Sequence, residues 1–511
     1  MAQNREHIYI AAPGFKGLNT QDSPVAQDAT FAAIAENVVI DKFGRIGARK
    51  GLKKLTTSST PLGSSDGIES IFEFVDQSGD ITVLSTGNNK IFSGTTTLTD
   101  ITPASYTISA NNWKIVNFNN HCFFFQRDHE YLVYTDESGT GVIESHSNHS
   151  HATGTPPQAN EALAAFGRIW AGDVTGNKYT LYWSDLLNGV HWTGGTSGSL
   201  DLTTVWPTGY DEIVALAEFN DFLVIFGKRS ILLYSGASSP SSMVLADVIT
   251  NIGCIARDSV QSIGTDLIFL SDSGVRSLGR VIQEKSNPIG DVSINVRDDL
   301  VSAVSVETGN IKSVYSEEDA FYLLILPEVN NLVFCFDMRG KLENGANRVS
   351  TWPVTGILCG TLTSDNKIYF GNSKGINEYD GFLDDTSTYT MKYYTNALSF
   401  GDASALKILK QITFTIVGGQ ATELLLNWGY DYTEGYSKER LVVDDASIAE
   451  YGISEYNVET SQYNASIIVN KAKAKTTGSG NVVTIGIDAT INDKSFSIQD
   501  VNIEALIGRR I

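Results

Sequence analysis

The sequence is poor in the residues on which small disulfide-linked or metal-held proteins depend. Its 511 residues include only 4 cysteines, 7 histidines and 11 prolines. The four cysteines lie far apart and mostly within apolar runs; they are Cys122, Cys254, Cys335 and Cys359. This pattern predicts buried free thiols, and it argues against both a disulfide framework and a zinc site of the CxxC type.

Long apolar runs are lacking as well. No stretch approaches the length of about 18 apolar residues that a membrane-spanning helix needs. The first residues, MAQNREHIYIAAPGF, do not show the basic segment followed by an apolar segment that marks a secretory signal. We therefore expect neither a signal peptide nor a membrane span.

Basic residues are in deficit. Lysine and arginine number 37 against 58 aspartates and glutamates, which gives a formal net charge of -21. Attachment to nucleic acid over a broad face needs lysines and arginines that displace counterions, so this charge argues against it. An acidic wall would instead repel DNA. Acidity that merely keeps a large protein soluble accounts for the same charge.

Glycine and aromatic residues are plentiful, with 46 Gly, 21 Tyr and 23 Phe. Together with the few prolines, this composition favours many short strands joined by tight turns, so an all-β fold is predicted. The clearest segment is Asp211 to Ser238. It predicts an antiparallel meander with strands at Ile213 to Phe219, Phe222 to Phe226 and Ser230 to Tyr234.

Weaker copies of this meander recur along the chain. Seven apolar strands repeat at spacings of 41, 45, 55, 44, 56 and 45 residues; they are centred on Val83, Phe124, Ile169, Val224, Ile268, Leu324 and Tyr369. Propeller blades repeat every ~40 to 50 residues, and each sheet buries its faces only against a neighbour. The spacing therefore predicts a β-propeller of six or seven blades over residues 68–387.

Two segments interrupt the repeat. Residues 144–158, ESHSNHSHATGTPPQ, form a polar insertion, and residues 291–305 predict a short helix after a possible cap at Asp291. The apolar face of that helix would consist of Val292, Val296, Leu300 and Val304. The helix accounts for the longer spacing of 56 residues around it.

The two ends of the chain do not follow the blade period. Residues 1–67 read as an extended arm with a short helix at Thr30 to Asn37, and residues 388–511 read as an antiparallel β-sandwich. One of the predicted sandwich strands is Tyr463 to Val469. The arm contains a basic cluster that predicts a solvated face or a contact with an acidic neighbouring subunit; its members are Arg45, Arg49, Lys50, Lys53 and Lys54.

Residues that could carry chemistry are few. His146, His149 and His151 are weak candidates for metal binding, because imidazoles at this spacing could share one ion. Their segment is rich in serine and asparagine and has no cysteine, so we predict no metal site.

Carboxylates suited to glycoside hydrolysis would be Asp185, Asp201 or Asp272. However, the SxDxGxTW repeat of sialidase-like propellers is missing, and so are the GxSxG, HExxH and P-loop motifs. Asp272 is expected to shape a turn. We predict no catalytic residues, no cofactor and no enzymatic activity.

Several segments resemble one family. GFKGLNTQDSP and AENVVIDKFGRIGARKGLKKL are similar to the amino-terminal arm of many bacteriophage virion proteins, and SFSIQDVNIEALIGRRI is similar to segments of phage structural proteins. YWSDLLNGVHWTGG, VWPTGYDEIVALAEFNDFLVIFGKRSILLYSG and IGCIARDSVQSIGTDLIFLSDSGVRSL resemble the tail nozzle, or tail tubular protein, family of short-tailed bacteriophages.

This resemblance implies a structural virion protein, made in the host cytoplasm and built into the phage tail. It would form a ring, typically a hexamer, below the portal and the head-tail adaptor, and would hold tail fibres or spikes. The ring would extend the DNA channel, retain the packaged genome and release it on ejection, without specific DNA binding. Six copies would carry six times -21, or -126, formal charges. Gate residues are expected in the loops 144–158 and 429–456.

Two other functions stay open. A tail-borne carbohydrate-binding or glycan-cleaving propeller would use aromatics on surface loops, for which Trp183, Trp192 and Trp206 are candidates. A cytosolic propeller scaffold that binds host peptides would need neither a ring nor a virion.

Overall fold

The computed structural model describes residues 4–58, 62–63, 67–109, 112–136, 141–207, 209–284, 291–419, 422–432, 435–443 and 469–510. Almost all of their regular structure is β-strand, which confirms the predicted all-β class. Two short α-helices occur, α1 (Leu278–Glu284) and α2 (Arg297–Val306), with 3-10 turns at His146–Asn148, Pro240–Ser242 and Ile294–Val296. Within these residues, no helix has the length and apolar character needed to cross a membrane.

The amino-terminal arm consists of short strands that belong to sheets formed by distant parts of the chain. These strands are β1 (Asn4–Ala11), β2 (Gly17–Leu18), β3 (Phe31–Glu36), β4 (Val38–Ile40), β5 (Ile46–Ala48) and β6 (Leu52–Lys54).

Four consecutive four-stranded antiparallel sheets follow the arm, and we number them as blades one to four. Blade one contains β7 (Ile68–Val75), β8 (Ile81–Gly87), β9 (Lys90–Ser93) and β10 (Thr99–Asp100), and blade two contains β11 (Lys114–Phe118), β12 (His121–Phe125), β13 (Leu132–Thr135) and β14 (Val142–Ser145). Blade three contains β15 (Ala159–Ala165), β16 (Arg168–Val174), β17 (Thr180–Trp183) and β18 (Gly198–Asp201), and blade four contains β19 (Ile213–Phe219), β20 (Phe222–Gly227), β21 (Ser230–Ser235) and β22 (Val244–Thr250).

Three further blades follow. Blade five has three strands, β23 (Gln261–Ser262), β24 (Leu267–Ser271) and β25 (Gly274–Ser277), and helices α1 and α2 come after it. Blade six contains β26 (Lys312–Ser316), β27 (Phe321–Leu326), β28 (Leu332–Lys341) and β29 (Asn347–Pro353), and blade seven contains β30 (Ile357–Leu362), β31 (Ile368–Asn372) and β32 (Gly375–Tyr379). Strand β6 of the arm pairs with β32 as the fourth strand of blade seven.

The blades are arranged as a closed ring. Blade two packs on blade one around Phe74 and Phe124, and the same kind of apolar core lies between each later pair of blades. A further core joins blade seven to blade one through Ile68 and Ile376. Each sheet therefore has a neighbour on both faces, as a propeller requires, and the predicted β-propeller is confirmed.

Asparagine and aspartate form the sharpest corners. Asn119 and Asn120 have φ of 49° and 63°, and Asn220 and Asp221 have φ of 47° and 63° at the equivalent turn two blades later. Positive φ at both central residues is the type I′ geometry that matches the twist of a two-residue hairpin. The repeated Phe-Asn-Asn and Phe-Asn-Asp corners of the sequence thus mark real hairpins between the first and second strands of their blades.

The carboxyl-terminal strands form two sheets around a shared apolar core, as predicted for a β-sandwich. The strands are β33 (Tyr389–Thr395), β34 (Ala405–Gly418), β35 (Glu423–Tyr430), β36 (Ser437–Val442), β37 (Val469–Lys475), β38 (Val483–Ile491) and β39 (Phe496–Arg510). One sheet has the order β37-β34-β39-β5-β4, with β1 also on β39. The other contains β33-β38-β35-β36 and continues through β3 into blade six.

The predicted helix at Thr30 to Asn37 is wrong, because most of that segment is strand β3. Its residues pair with β33 on one side, and Glu36 pairs with Thr351 of β29 on the other. Ala32 and Ala35 are buried in the core shared with the sandwich. Alanine favours helices in isolation, but ladder hydrogen bonds on two sides outweigh a propensity of well under 1 kcal/mol per residue.

The arm's basic cluster is a solvated face only in part, because Lys53 and Lys54 are exposed whereas the two arginines are buried. The side chain of Arg49 is 2% exposed and donates to Asp384 from Nη1 and Nη2 at 2.8 and 2.6 Å. The guanidinium lies over the ring of Tyr389 at 4.2 Å, and Arg45 is buried as well. Lys53 reaches Asp380 at 3.3 Å. Arg49 and Lys53 therefore have acidic partners within the same chain.

The predicted helix at residues 291–305 is present in part, as a 3-10 turn followed by α2. Its predicted apolar face is correct, since Val292, Val296 and Leu300 are buried. Asp291 caps neither segment; it is buried and lies 3.4 Å from Arg276 Nη1. Of the other predictions, the loop 429–456 is described only at residues 429–432 and 435–443, and the strand Tyr463 to Val469 lies outside the described residues except for Val469.

Replacing Arg49 with methionine should destabilise the protein by about 3–5 kcal/mol, because Asp384 would keep a partly buried charge without its partner. Lys53→Met is the matched control; its ion pair with Asp380 is exposed, so the loss should stay below about 1 kcal/mol. Urea unfolding followed by tryptophan fluorescence measures both changes. Equal losses for the two variants would contradict a structural role for Arg49.

Candidate functional site: the axial cavity of the propeller

The first strands of neighbouring blades contact one another around the axis of the ring. Two cavities lie among them. The larger, of about 440 Å³, is lined by residues that include Lys178, Glu212, Lys228 and Arg257. The smaller, of about 200 Å³, is lined by residues of β7, β11, β26 and β30. Asp258 lies in the wall of both cavities.

Asp258 is the centre of a buried ionic cluster whose residues line the two cavities. It accepts two hydrogen bonds from Arg257, at 3.0 and 2.7 Å, and one from Lys312 Nζ at 2.7 Å. Lys114 Nζ lies 3.9 Å away. Burial opposes the charged form, but these three cations outweigh it and hold the pKa of Asp258 far below its ordinary range.

Glu161 is the second carboxylate of the cluster, and its side chain is fully buried. Its Oε1 accepts the backbone N–H of Leu216 at 3.1 Å. Its Oε2 has only longer contacts, with Lys114 Nζ at 3.4 Å and Arg257 Nε at 3.8 Å. Burial raises the pKa of Glu161 to about 7, although both cations oppose this shift.

The cluster connects five blades. Lys114 begins β11 of blade two, and Glu161 lies on β15 of blade three and contacts β19 of blade four. Arg257 and Asp258 precede blade five, and Lys312 begins β26 of blade six. A carboxyl with a raised pKa beside one with a lowered pKa resembles an acid–base pair. Here the first is closed to solvent and the second is saturated with donors, so the arrangement serves to hold blades together.

The three candidate histidines do not meet at one point. His146 is buried and its Nε2 lies 2.9 Å from the carbonyl oxygen of Val190. His149 instead has its ring 5.7 Å from that of His121 and 6.0 Å from that of His151. Among the described residues, no three histidine, cysteine, aspartate or glutamate side chains are placed to hold a metal ion.

The three candidate aspartates shape turns. Asp185 accepts hydrogen bonds from the backbone and hydroxyl of Thr196, at 2.8 and 2.7 Å. Asp201 accepts the backbone N–H of Thr203 at 2.8 Å, and Asp272 lies at the corner between β24 and β25, where its Oδ1 accepts from Ser273 Oγ. Their carboxylates engage neighbouring residues rather than one another.

The candidate tryptophans do not form an exposed aromatic surface. Trp183 and Trp206 are buried in the core between blades three and four, 7% and 4% exposed. Trp192 donates from Nε1 to the hydroxyl of Tyr131 at 2.9 Å. The predicted free thiols are confirmed, because all four cysteines are buried and unbridged.

Sequence reasoning missed the axial cluster. Its signal was a charged residue within or just before the first strand of a blade, where the other residues are mostly apolar: Lys114 in KIVNF, Glu161 in ANEALAA and Lys312 in KSVYS. The apolar repeat falls on the second strands of the blades, so it does not relate these first-strand positions to one another.

The fold and the axial cluster together define a seven-bladed β-propeller, closed by its own amino-terminal arm and extended by a β-sandwich. No protein-family model and no curated protein matches the sequence.

Solved structures with a similar fold include PorZ, a bacterial surface component of the type-IX secretion system of Porphyromonas gingivalis. The sequence identity is 10% and the TM-score is 0.36, and the match covers 62% of this chain and 37% of the PorZ chain. A streptogramin B lyase matches with 11% identity and a TM-score of 0.36, and the match covers 65% of this chain and 97% of the lyase chain. The extracellular domain of BT4673 from B. thetaiotaomicron matches with 11% identity, 64% and 40% coverage and a TM-score of 0.29. The chain spans less than half the length of the PorZ and BT4673 structures. At this similarity they carry no argument about function.

Glu161 should make stability depend on pH. Its folded-state pKa of about 7 exceeds the ordinary 4.5, so the folded protein holds this proton more tightly than the unfolded chain. That contribution is complete below pH 4.5 and is lost as the pH rises through 7. The Glu161→Gln variant lacks this pH-dependent contribution. Its free energy of unfolding, compared with that of wild type, should therefore be more favourable at alkaline pH than at acid pH, by up to about 3 kcal/mol.

Urea unfolding of wild type and Glu161→Gln at about pH 4 and about pH 8 measures this difference. The control is Glu423→Gln, whose side chain is 51% exposed. A difference between wild type and Glu161→Gln that is the same at both pH values would show that Glu161 titrates normally.

Proposed function

We propose that this protein is a non-enzymatic structural subunit of a virion, the tail nozzle of a short-tailed bacteriophage. Copies of it would form a ring below the portal and the head-tail adaptor. The ring would extend the DNA channel, retain the packaged genome and let it out on ejection. The segments that resemble this family are its starting point, and they lie in the arm, in blades three to five and in β39.

The observation that carries the proposal is how the arm is built into the rest of the chain. Its strand β6 completes blade seven, while β1 and β5 pair with β39 of the sandwich. Strand β3 lies between β29 of the propeller and β33 of the sandwich. Three parts of the sequence thus share hydrogen-bonded sheets, and such sheets resist separation. This suits a subunit that must keep its shape while DNA is held under load and then moves past it.

The axial cluster supports a channel between copies rather than through one copy. Arg257, Asp258 and Lys312 fill the axis of the propeller with paired charges, so a DNA duplex has no passage along it. A conduit would need several copies around a common axis, and a hexamer is the expected number. With -21 formal charges per copy, an acidic lumen would keep DNA from adhering as it passes.

The proposal predicts that virions contain the protein in a tail ring that surrounds a pore, with tail fibres or spikes attached. A tag inserted at Gly79, an open hairpin turn with no atom within 4 Å of an added Cβ, allows gold labelling without disturbing a core. Electron microscopy of labelled virions should place about six gold particles around the tail axis, since oligomers close by symmetry. Virions without the protein, together with a purified protein that stays monomeric, would refute the nozzle.

A glycan-cleaving propeller is the second candidate, and the axial cavity is the feature that favours it. Its deep carboxylates contact cations, and Glu161 is closed to solvent, which weighs against hydrolysis. Release of reducing sugar from host polysaccharide, abolished by Asp258→Asn in a protein that still folds, would establish this activity.

A further inference from the structure

The part of the larger axial cavity that is lined by Lys178, Glu212 and Lys228, which we call its mouth, carries charges that reach solvent. Lys178, in the turn between β16 and β17, and Lys228, in the turn between β20 and β21, approach each other from blades three and four. Glu212, just before β19, lies between them, and Tyr210 lies two residues earlier. Lys178, Glu212 and Lys228 all line the cavity of about 440 Å³.

The two lysines share one carboxylate. Glu212 Oε2 lies 2.7 Å from Lys228 Nζ and 3.4 Å from Lys178 Nζ. Their side chains are 57% and 35% exposed, so both ammonium groups can be reached from solvent. One carboxylate neutralises one of the two charges. Two more charged residues adjoin this group, the exposed Arg229 and the buried Asp211, whose carboxylate accepts the backbone N–H groups of Lys228 and Arg229. Their charges cancel, so the group still has a surplus of one positive charge.

The remaining carboxylates in the walls of this cavity have hydrogen-bond partners. Asp173 is held by Arg127 and by Asn160 Nδ2, and Glu307 accepts the backbone N–H groups of Gly309 and Val329. Asp258 is saturated by the axial cluster. Glu307 keeps its negative charge, because its partners are neutral, so the lining of the whole cavity is balanced in charge. At the mouth, however, two lysines share one carboxylate, and this part of the lining is positive on a protein whose net charge is -21.

An exposed aromatic ring adjoins these charges. Tyr210 is 61% exposed, and its hydroxyl lies 3.5 Å from Glu212 Oε1. The edge of Tyr179 packs against it, with ring centroids 6.3 Å apart at 73°. A large apolar ring held by a neighbour and left open to water is a surface on which a ligand ring can lie.

We infer that the mouth of the axial cavity binds a short acidic saccharide. Its carboxylate or phosphate would lie between Lys178 and Lys228, and its sugar ring against Tyr210. The cavity volume of about 440 Å³ is within the ~300–1,000 Å³ of small-ligand sites. A long polyanion is disfavoured, because the acidic chain around the mouth repels it. This inference does not depend on the nozzle proposal.

Galacturonate and glucose 6-phosphate are the two probes, one for each acidic group. Calorimetric titration and saturation-transfer NMR should detect saturable binding of at least one of them at millimolar concentration. In the double variant Lys178→Gln/Lys228→Gln, binding should weaken by about tenfold or more, since hydrogen bonds to charged groups are lost. Tyr210→Ala should reduce saturation transfer to the sugar ring protons.

Lys53→Gln is the matched control. Lys53 is 59% exposed and pairs with the carboxylate of Asp380, much as Lys228 pairs with that of Glu212. No second lysine shares the Asp380 carboxylate among the ion pairs of the described residues. The Lys53→Gln variant should leave binding unchanged. Unfolding midpoints for each variant verify that it folds.

Five outcomes would overturn the inference. The first two are no saturable binding of either acidic sugar, and binding that the double lysine variant retains. Glucose binding as tightly as the acidic sugars would remove the role of the charge, and inorganic phosphate binding as tightly would remove the role of the ring. Tighter binding of a short oligothymidine, with the same sensitivity to both variants, would assign the mouth to a nucleic-acid strand instead.

Discussion

The structure depends on the pairing of β6 with β32, which ties the beginning of the chain to its last blade. Without it, blade seven would lack its fourth strand, and β32 would present an open edge. Arg49 lies three residues before β6 and holds Asp384, just after blade seven, by two hydrogen bonds. The same arm continues into both sandwich sheets. Ring closure and attachment of the sandwich are thus parts of one set of contacts.

Charge is distributed to match this architecture. The acidic excess is spread over the chain, whereas at the axis Arg257, Lys312 and Lys114 surround Asp258 and Glu161. Ions buried so deeply are stable only with partners, and the partners come from different blades. The cluster therefore favours one arrangement of the blades around the axis, while the mouth of the cavity retains a charge without a matched partner.

The repeat could be predicted because one apolar strand of each blade recurs at a similar spacing along the sequence. Val83, Phe124, Ile169, Val224, Ile268, Leu324 and Tyr369 lie on the second strands of blades one to seven, respectively. Predictions that depended on single residues were weaker. The sequence places Arg49 on a solvated face or in a contact with a neighbouring subunit, but it is buried because Asp384, more than three hundred residues later, lies beside it. Trp183 and Trp206 were expected on loops, and they pack between blades.

Periodicity, turn residues and composition determined by themselves that the chain is all-β, that its blades repeat and where their hairpins turn, since each of these depends on residues close in sequence. Tertiary structure alone decided that the arm closes the ring, that β3 is a strand, and that Lys178, Glu212 and Lys228 meet at one cavity. Those outcomes join residues tens to hundreds of positions apart, and local patterns contain no information about which distant partner supplies the hydrogen bond or the opposite charge.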